Sequence, residues 1–218
     1  NLGVTTSFGV PGESYLAVLD ALYDADIKFT LCRHESAAGF AAAAYGKLTG
    51  APGIGFVTRG PGATNASIGV HTAMQDSSPM ILFIGQVGVN DKGREAFQEV
   101  DYRAFFTPLA KWATEIDNPD RIPEIISRAW HMALSGRPGP VVVALPEDML
   151  TTLTESKPCQ PVVIAEAGVD KDGLTQALEM LSAAENPLII AGGGGWNAAG
   201  KKALQRFAES QNIAVSAA

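Results

Sequence analysis

The run Pro140-Val141-Val142-Val143-Ala144-Leu145 contains no polar side chain. Such a run is short for a helix and suits a strand covered on both faces, as in parallel sheets. Other β-prone runs lie at Thr5 to Val10, Lys28 to Cys32, Ile54 to Thr58 and Met80 to Ile84. Between them the apolar spacing changes to that of a helix. Tyr15, Val18, Leu19 and Leu22 mark one helical face, and Ile122, Ile125, Ile126 and Trp130 mark another. Glu35 to Leu48 is rich in alanine, the best helix former, and Gly50 stops it. This alternation predicts an α/β fold, a doubly wound, mostly parallel sheet with helices on both faces.

The pattern weakens beyond Leu145. Pro146, Pro158 and Pro161 punctuate a stretch of weak periodicity, which reads as a linker. Domain boundaries are expected at 1–150, with a linker over 151–169. The beginning of a second α/β domain follows over 170–218. It has a helix near Leu174 to Leu181, a strand at Leu188 to Ala191, a glycine turn, a helix near Gly200 to Ser210 and a strand at Ile213 to Val215. Asn1 to Val4 runs straight into a strand, and Ile213 to Ala218 is a strand barely begun. Both ends are read as cuts in a longer protein.

Composition excludes several classes. With 46% hydrophobic and 18% charged residues the chain can build a sizeable core, and disorder is not its main state. A net charge of −7 argues against a general nucleic-acid binder. Cys32 and Cys159 make neither a disulfide framework nor a zinc cluster. No signal peptide and no apolar run near the length of a membrane span is present, so a cytoplasmic protein without a membrane partner is expected.

Two segments carry candidate chemistry. Arg33-His34-Glu35 places a carboxylate where a strand ends and a helix begins, and ligands bind at the carboxyl ends of parallel strands. An acid there also complements the helix dipole, which is reason enough for it structurally. Ser36, Ala37, Ala38, Gly39 and Phe40 offer no charge to pair with it, and a carboxyl withdrawn from water is able to keep a proton. Thr58-Arg59-Gly60-Pro61-Gly62-Ala63-Thr64-Asn65 is a glycine turn entering a helix. It exposes amide donors, and it lacks the Gly-Lys-Ser/Thr ending of a Walker loop.

Six segments occur in order: Phe8-Gly9-Val10-Pro11-Gly12, Arg33-His34-Glu35, Gly60-Pro61-Gly62-Ala63-Thr64-Asn65, Gly85-Gln86-Val87, Phe97-Gln98-Glu99-Val100-Asp101 and Gly136-Arg137-Pro138-Gly139-Pro140-Val141. Together they resemble the pyrimidine-binding domain of thiamine-diphosphate enzymes, closest to acetolactate synthase large subunits. The resemblance covers essentially residues 1–150. Residues 151–218 resemble the start of the family's central, Rossmann-like domain.

The resemblance implies roles. Glu35 matches the glutamate that hydrogen-bonds N1′ of the cofactor's aminopyrimidine and so helps the ring take the thiazolium proton. Pro11, Thr58, Pro61, Gly62 and Asn65 match the cofactor-binding wall. Phe97 and Gln98 match the substrate channel, with Gln98 reaching reaction intermediates, and His34 shapes the pocket. Glu13 and Arg59 depart from the usual glycine and serine of acetolactate synthases, which bears on the second substrate. The implied reaction decarboxylates a small-molecule 2-keto acid such as pyruvate and joins the activated aldehyde to a second carbonyl. Thiamine diphosphate is the implied cofactor, with Mg²⁺ ligands outside this chain, and FAD in the central domain of some members only. A homodimer or tetramer is implied too. The small-residue stripe Ala38, Gly39, Ala42 and Gly46 puts the helix from Glu35 at or beside its interface.

Other features read as decoys. His34, His71 and His131 lack metal-ligand spacing. Gly192 to Gly195 only partly fits a dinucleotide fingerprint. Lys171-Asp172-Gly173 with Asn197 has nearly the spacing of a Mg²⁺–diphosphate motif but lacks a preceding strand, so no metal site is expected here. The alternatives are another member of the family (a 2-keto acid decarboxylase, carboligase or acyl-CoA lyase) or a non-catalytic nucleotide-binding α/β module. A shared sheet edge for Glu35 and the turn at 60–62 separates enzyme from module.

Overall fold

The computed structural model describes every residue except 1, 161, 166, 194 and 218. Pro161 of the expected linker and Gly194 of the glycine turn therefore lie outside the described residues, as do the two terminal positions. Within residues 1–164, one compact unit, six strands form a single sheet. These are β1 (Thr6–Gly9), β2 (Lys28–Leu31), β3 (Gly53–Val57), β4 (Met80–Gln86), β5 (Trp112–Glu115) and β6 (Pro140–Pro146). All pair in parallel, in the order β2-β1-β3-β4-β6-β5.

Two cores explain the uninterrupted apolar runs. Side chains alternate across a strand, so β4 and β6 feed both faces. Ile81, Phe83, Val141, Val143 and Leu145 pack with Ile125, Ala129 and Ala133 of α5 (Ile122–Leu134), and with Val18, Leu19 and Leu22 of α1 (Leu16–Tyr23). Met80, Leu82, Ile84, Val142 and Ala144 pack on the other face. There they meet Ala42 and Ala43 of α2 (Glu35–Thr49), Ala66, Val70 and Ala73 of α3 (Gly60–Gln75), and Phe106 of α4 (Tyr102–Phe106). The helical faces expected from spacing are the ones packed toward the core, with Tyr15 and Ile125 buried and the remaining face residues partly buried.

The small-residue stripe has a different use from the one expected. Ala38, Gly39, Ala42 and Gly46 are all buried inside the chain. A Cβ on Gly39 would lie 3.0 Å from the Ala66 oxygen, and one on Gly69 only 2.5 Å from the Gly39 carbonyl carbon. A Cβ on Gly46 would lie 1.9 Å from the Pro79 oxygen. The stripe therefore lets α2 approach α3 and the sheet, and it is not a surface for a second subunit. The face α2 and α3 turn outward carries Ala37, Phe40, Ala44, Leu48 and Ile68 instead.

Three elements were not expected. The edge strand β5 is half polar and short, α4 follows an irregular segment, and α6 (Glu147–Thr151) occupies what reads as linker. Residues 165–218 form a second compact unit. It contains α7 (Lys171–Ala183), β7 (Leu188–Ala191), α8 (Ala198–Gln211) and β8 (Ala214–Ala217), with β7 and β8 parallel. The Asp170 carboxylate accepts from Asp172 N and Gly173 N at the start of α7, and Asn197 accepts from Gly200 N at the start of α8. The pseudo-motif at 171–173 and 197 is thus two helix N-caps. No described helix is long and apolar enough to cross a membrane.

Candidate active site

Connections leave neighbouring strands in opposite directions at one place. The chain runs from β1 through α1 to β2 on one side, and from β3 through α3 to β4 on the other. The connections after β1 and β3 diverge there while the strand ends stay hydrogen-bonded, and the crevice beyond such a point is the usual ligand position in open parallel sheets. Pro11-Gly12 follows β1, and Thr58-Arg59 follows β3. The two turns touch. A Cβ on Gly12 would lie 2.6 Å from Thr58 Cβ, and Ser14 Oγ stands 3.0 Å from Thr58 Oγ1. The buried Tyr15 hydroxyl donates to the Val10 carbonyl and pins the turn that carries Pro11.

Glu35 opens α2, behind His34 at its N-cap. The His34 Nδ1 accepts from Ser36 N at 3.2 Å and bonds Ser36 Oγ at 2.8 Å, so this ring closes the helix end. Asn65 Nδ2 donates to Glu35 Oε2 at 2.9 Å. The meeting follows from the glycine crossing. Glu35 lies one turn before Gly39 and Asn65 one turn before Gly69, so helices in contact at the glycines bring these two side chains together. Among the described residues no protein donor reaches Glu35 Oε1. Burial holds the Tyr15 phenol above its ordinary range, and the negative charge of Glu35 adds to that shift. Tyr15 therefore stays a donor to Val10 at any physiological pH.

Gln98 has a left-handed backbone, φ 63°, and its carbonyl accepts from Gly60 N at 3.0 Å. That bond lays the 97–100 segment on the first turn of α3, with Phe97 exposed to solvent. Arg59 does not present a free charge. Its Nη2 donates to Glu147 Oε2 at 2.6 Å, tying the β3–α3 turn to the start of α6. Glu13 and Glu147 line a neighbouring cleft of about 480 Å³ together with Asn90, Asp91 and Asp148.

Pro11, Thr58, Pro61, Gly62 and Asn65 thus stand on the turns and first helical residues around the β1–β3 crevice. Glu35 is joined to them through Asn65, and Gln98 through Gly60. Glu13 and Arg59 are beside them at the same edge. Glu147 was missed by the sequence reading. The signal was present, since Pro146-Glu147-Asp148 puts a proline and two acids at a helix start. The arrangement offers a carboxylate with one oxygen held by an amide and the other available. The group fits a partner with a hydrogen-bonding ring nitrogen at this edge.

Kinship points to the same chemistry. Residues 1–105 match the model of the thiamine pyrophosphate enzyme N-terminal TPP binding domain, and residues 174–218 that of the thiamine pyrophosphate enzyme central domain. The acetolactate synthase isozyme 2 large subunit of Escherichia coli is 38% identical, over 94% of this chain and 37% of the relative. A probable acetolactate synthase large subunit of Methanocaldococcus jannaschii is also 38% identical, over 98% of this chain and 37% of the relative. The acetolactate synthase large subunit of Corynebacterium glutamicum is 37% identical, over 95% and 34% respectively. The chain thus spans little more than a third of the length of these relatives. With two domain models of one family matching in order along a sheet of this topology, the chain belongs to the thiamine pyrophosphate enzymes and is similar to their acetolactate synthase large subunits.

Proposed function

We propose that the chain is the N-terminal part of a thiamine-diphosphate-dependent enzyme. The enzyme decarboxylates a 2-keto acid such as pyruvate and transfers the activated aldehyde to a second carbonyl, as acetolactate synthases do. The observation that carries the reading is the Glu35–Asn65 pair at the β1–β3 crevice. Thiamine diphosphate, when bound, supplies the nucleophilic carbon that adds to the keto group. Glu35 Oε1 would hold or give a proton at the cofactor's pyrimidine nitrogen, while Asn65 fixes the carboxylate through Oε2. Pro11, Thr58, Pro61 and Gly62 form the wall against the ring. The Gln98 amide hydrogen-bonds substrate oxygens, and Phe97 and His34 line the approach.

Residues 1–150 are assigned to pyrimidine binding, 151–169 to a linker and 170–218 to the start of the central domain. Mg²⁺ and its ligands belong to another segment, and FAD is not assigned to residues 170–218. The working form is a cytoplasmic homodimer or tetramer. The apolar outer face of α2 and α3, with Phe40, Leu48 and Ile68, supports a two-fold contact there.

Arg59 favours a second reading inside the same family. Its pairing with Glu147 fills space where acetolactate synthases usually carry serine, which favours an acceptor other than a second pyruvate. One assay separates these readings. The full-length protein is given pyruvate with thiamine diphosphate and Mg²⁺, and CO₂ and acetolactate are both measured. Both products at a fixed ratio support acetolactate synthesis. CO₂ without acetolactate supports the second reading. No cofactor-dependent turnover of any 2-keto acid refutes the enzymatic proposal.

A further inference from the structure

The motif Gly85-Gln86-Val87 closes β4. β4 is apolar up to its last residue, where Gln86 is 1% exposed. At the end of β5 stands Glu115, 9% exposed. Buried polar groups are costly unless bonded, so their partners show what they are for. Gln86 Nε2 donates to the Val100 carbonyl at 2.9 Å and to Glu115 Oε2 at 3.3 Å, and Gln86 Oε1 accepts from Val87 N at 3.0 Å. Glu115 Oε1 accepts from Lys92 Nζ. The two side chains thus clamp both ends of the segment 92–100.

Inside that segment Glu99 folds back on its own loop. Its carboxylate accepts from Gly93 N at 2.6 Å and from Ala96 N at 3.2 Å. Three residues here are left-handed, Gly93, Glu95 and Gln98, with φ of 74°, 54° and 63°. A left-handed glutamine persists only where its surroundings over-determine it. Those surroundings are the Glu99 carboxylate, the Gln86 amide and the Gly60 N–H that donates to the Gln98 carbonyl.

We propose that Gln86, Glu99 and Glu115 are positioning residues that set the 92–100 loop and thereby hold Gln98 at the crevice for substrate. The inference rests on the reading of Gln98 as a substrate contact. None of the three touches the crevice through the bonds described; each acts on the backbone that carries Gln98.

The test uses the full-length protein with the Glu99→Ala, Glu99→Gln and Gln86→Met variants. Backbone hydrogen exchange over 92–101 is read by mass spectrometry, alongside kcat, KM for the keto acid and thiamine-diphosphate affinity. Glu99→Ala and Gln86→Met are expected to speed exchange in the loop and lower kcat/KM by about tenfold or more, with cofactor affinity unchanged. Glu99→Gln retains most of both properties, because its amide oxygen still accepts from Gly93 N. Glu99 lies at the loop surface, so its variants keep the fold even where Gln86→Met does not. Faster exchange with unchanged kinetics makes the network a loop anchor only and overturns the proposal, as does unchanged exchange. A wild-type protein without cofactor-dependent turnover overturns the functional reading instead. Loop exchange in the variants then still decides whether these residues set the segment.

Discussion

Gly69→Ala adds one methyl group at the crossing of α2 and α3. That carbon would stand 2.5 Å from the Gly39 carbonyl carbon, 2.6 Å from Gly39 Cα and 2.9 Å from Phe40 N. Non-bonded carbons rest at about 3.5–4.0 Å, so the helices must separate by roughly 1 Å. Every atom met is backbone, and no side chain can rotate away. Overpacking costs about 1–3 kcal/mol, and the upper end applies here. Alanine returns about 1 kcal/mol through its better helix propensity. The net loss is about 2 kcal/mol, which lowers the melting temperature by roughly 4–8 °C for a chain of this size. Circular dichroism melts of wild type and variant measure it. The displacement also pulls Asn65 from Glu35, so the Asn65 side-chain amide resonances should move toward those of a solvated asparagine. An unchanged or raised melting temperature would mean that propensity outweighs the contact and that the glycines do not set the approach of Glu35 to Asn65.

Other outcomes follow from the same geometry. Ala42→Glu buries a charge in the chain's own core and should abolish folding of residues 1–164, seen as loss of soluble protein, whereas Ile68→Glu on the outer face should leave the fold intact and turn a dimer into monomer by light scattering. Glu99 is held below the usual carboxylate range, first by the Gly93 amide. The order it gives the loop is therefore complete above its unfolded value of about 4.3 and is lost as pH falls through the lower folded one. Amide shifts of Gly93 and Ala96 should follow that acid titration, and their constancy down to the denaturing pH would remove Glu99 as the staple. Residues 1–218 alone should bind thiamine diphosphate weakly, since charge-assisted diphosphate contacts are assigned elsewhere; micromolar affinity by calorimetry would contradict this.

Much of this architecture is legible in the sequence because burial leaves a periodic record. β4 and β6 are apolar on both sides, and α1 and α5 are apolar on one, so each announces itself. Glu35 and the 60–65 turn were legible through local motifs. What stayed hidden depends on long-range contact. The stripe Ala38, Gly39, Ala42, Gly46 says only that something approaches closely, and the α2–α3 crossing decides that it is the same chain. β5 alternates weakly because it is an edge strand with one partner. The Arg59–Glu147 pair spans 88 positions and no local spacing encodes it. The 92–100 loop is held by two buried polar side chains at strand ends, which look like ordinary strand termini until their partners are seen.

Proton exchange at the cofactor's thiazolium carbon, measured by NMR in the full-length protein, tests the role of Glu35 most directly. Glu35→Gln is nearly isosteric, and its amide oxygen can still accept from Asn65, so the fold and the helix crossing should survive. The account predicts that exchange slows by orders of magnitude, each factor of ten being about 1.4 kcal/mol of barrier. Exchange at the wild-type rate, with thiamine diphosphate bound, would contradict it.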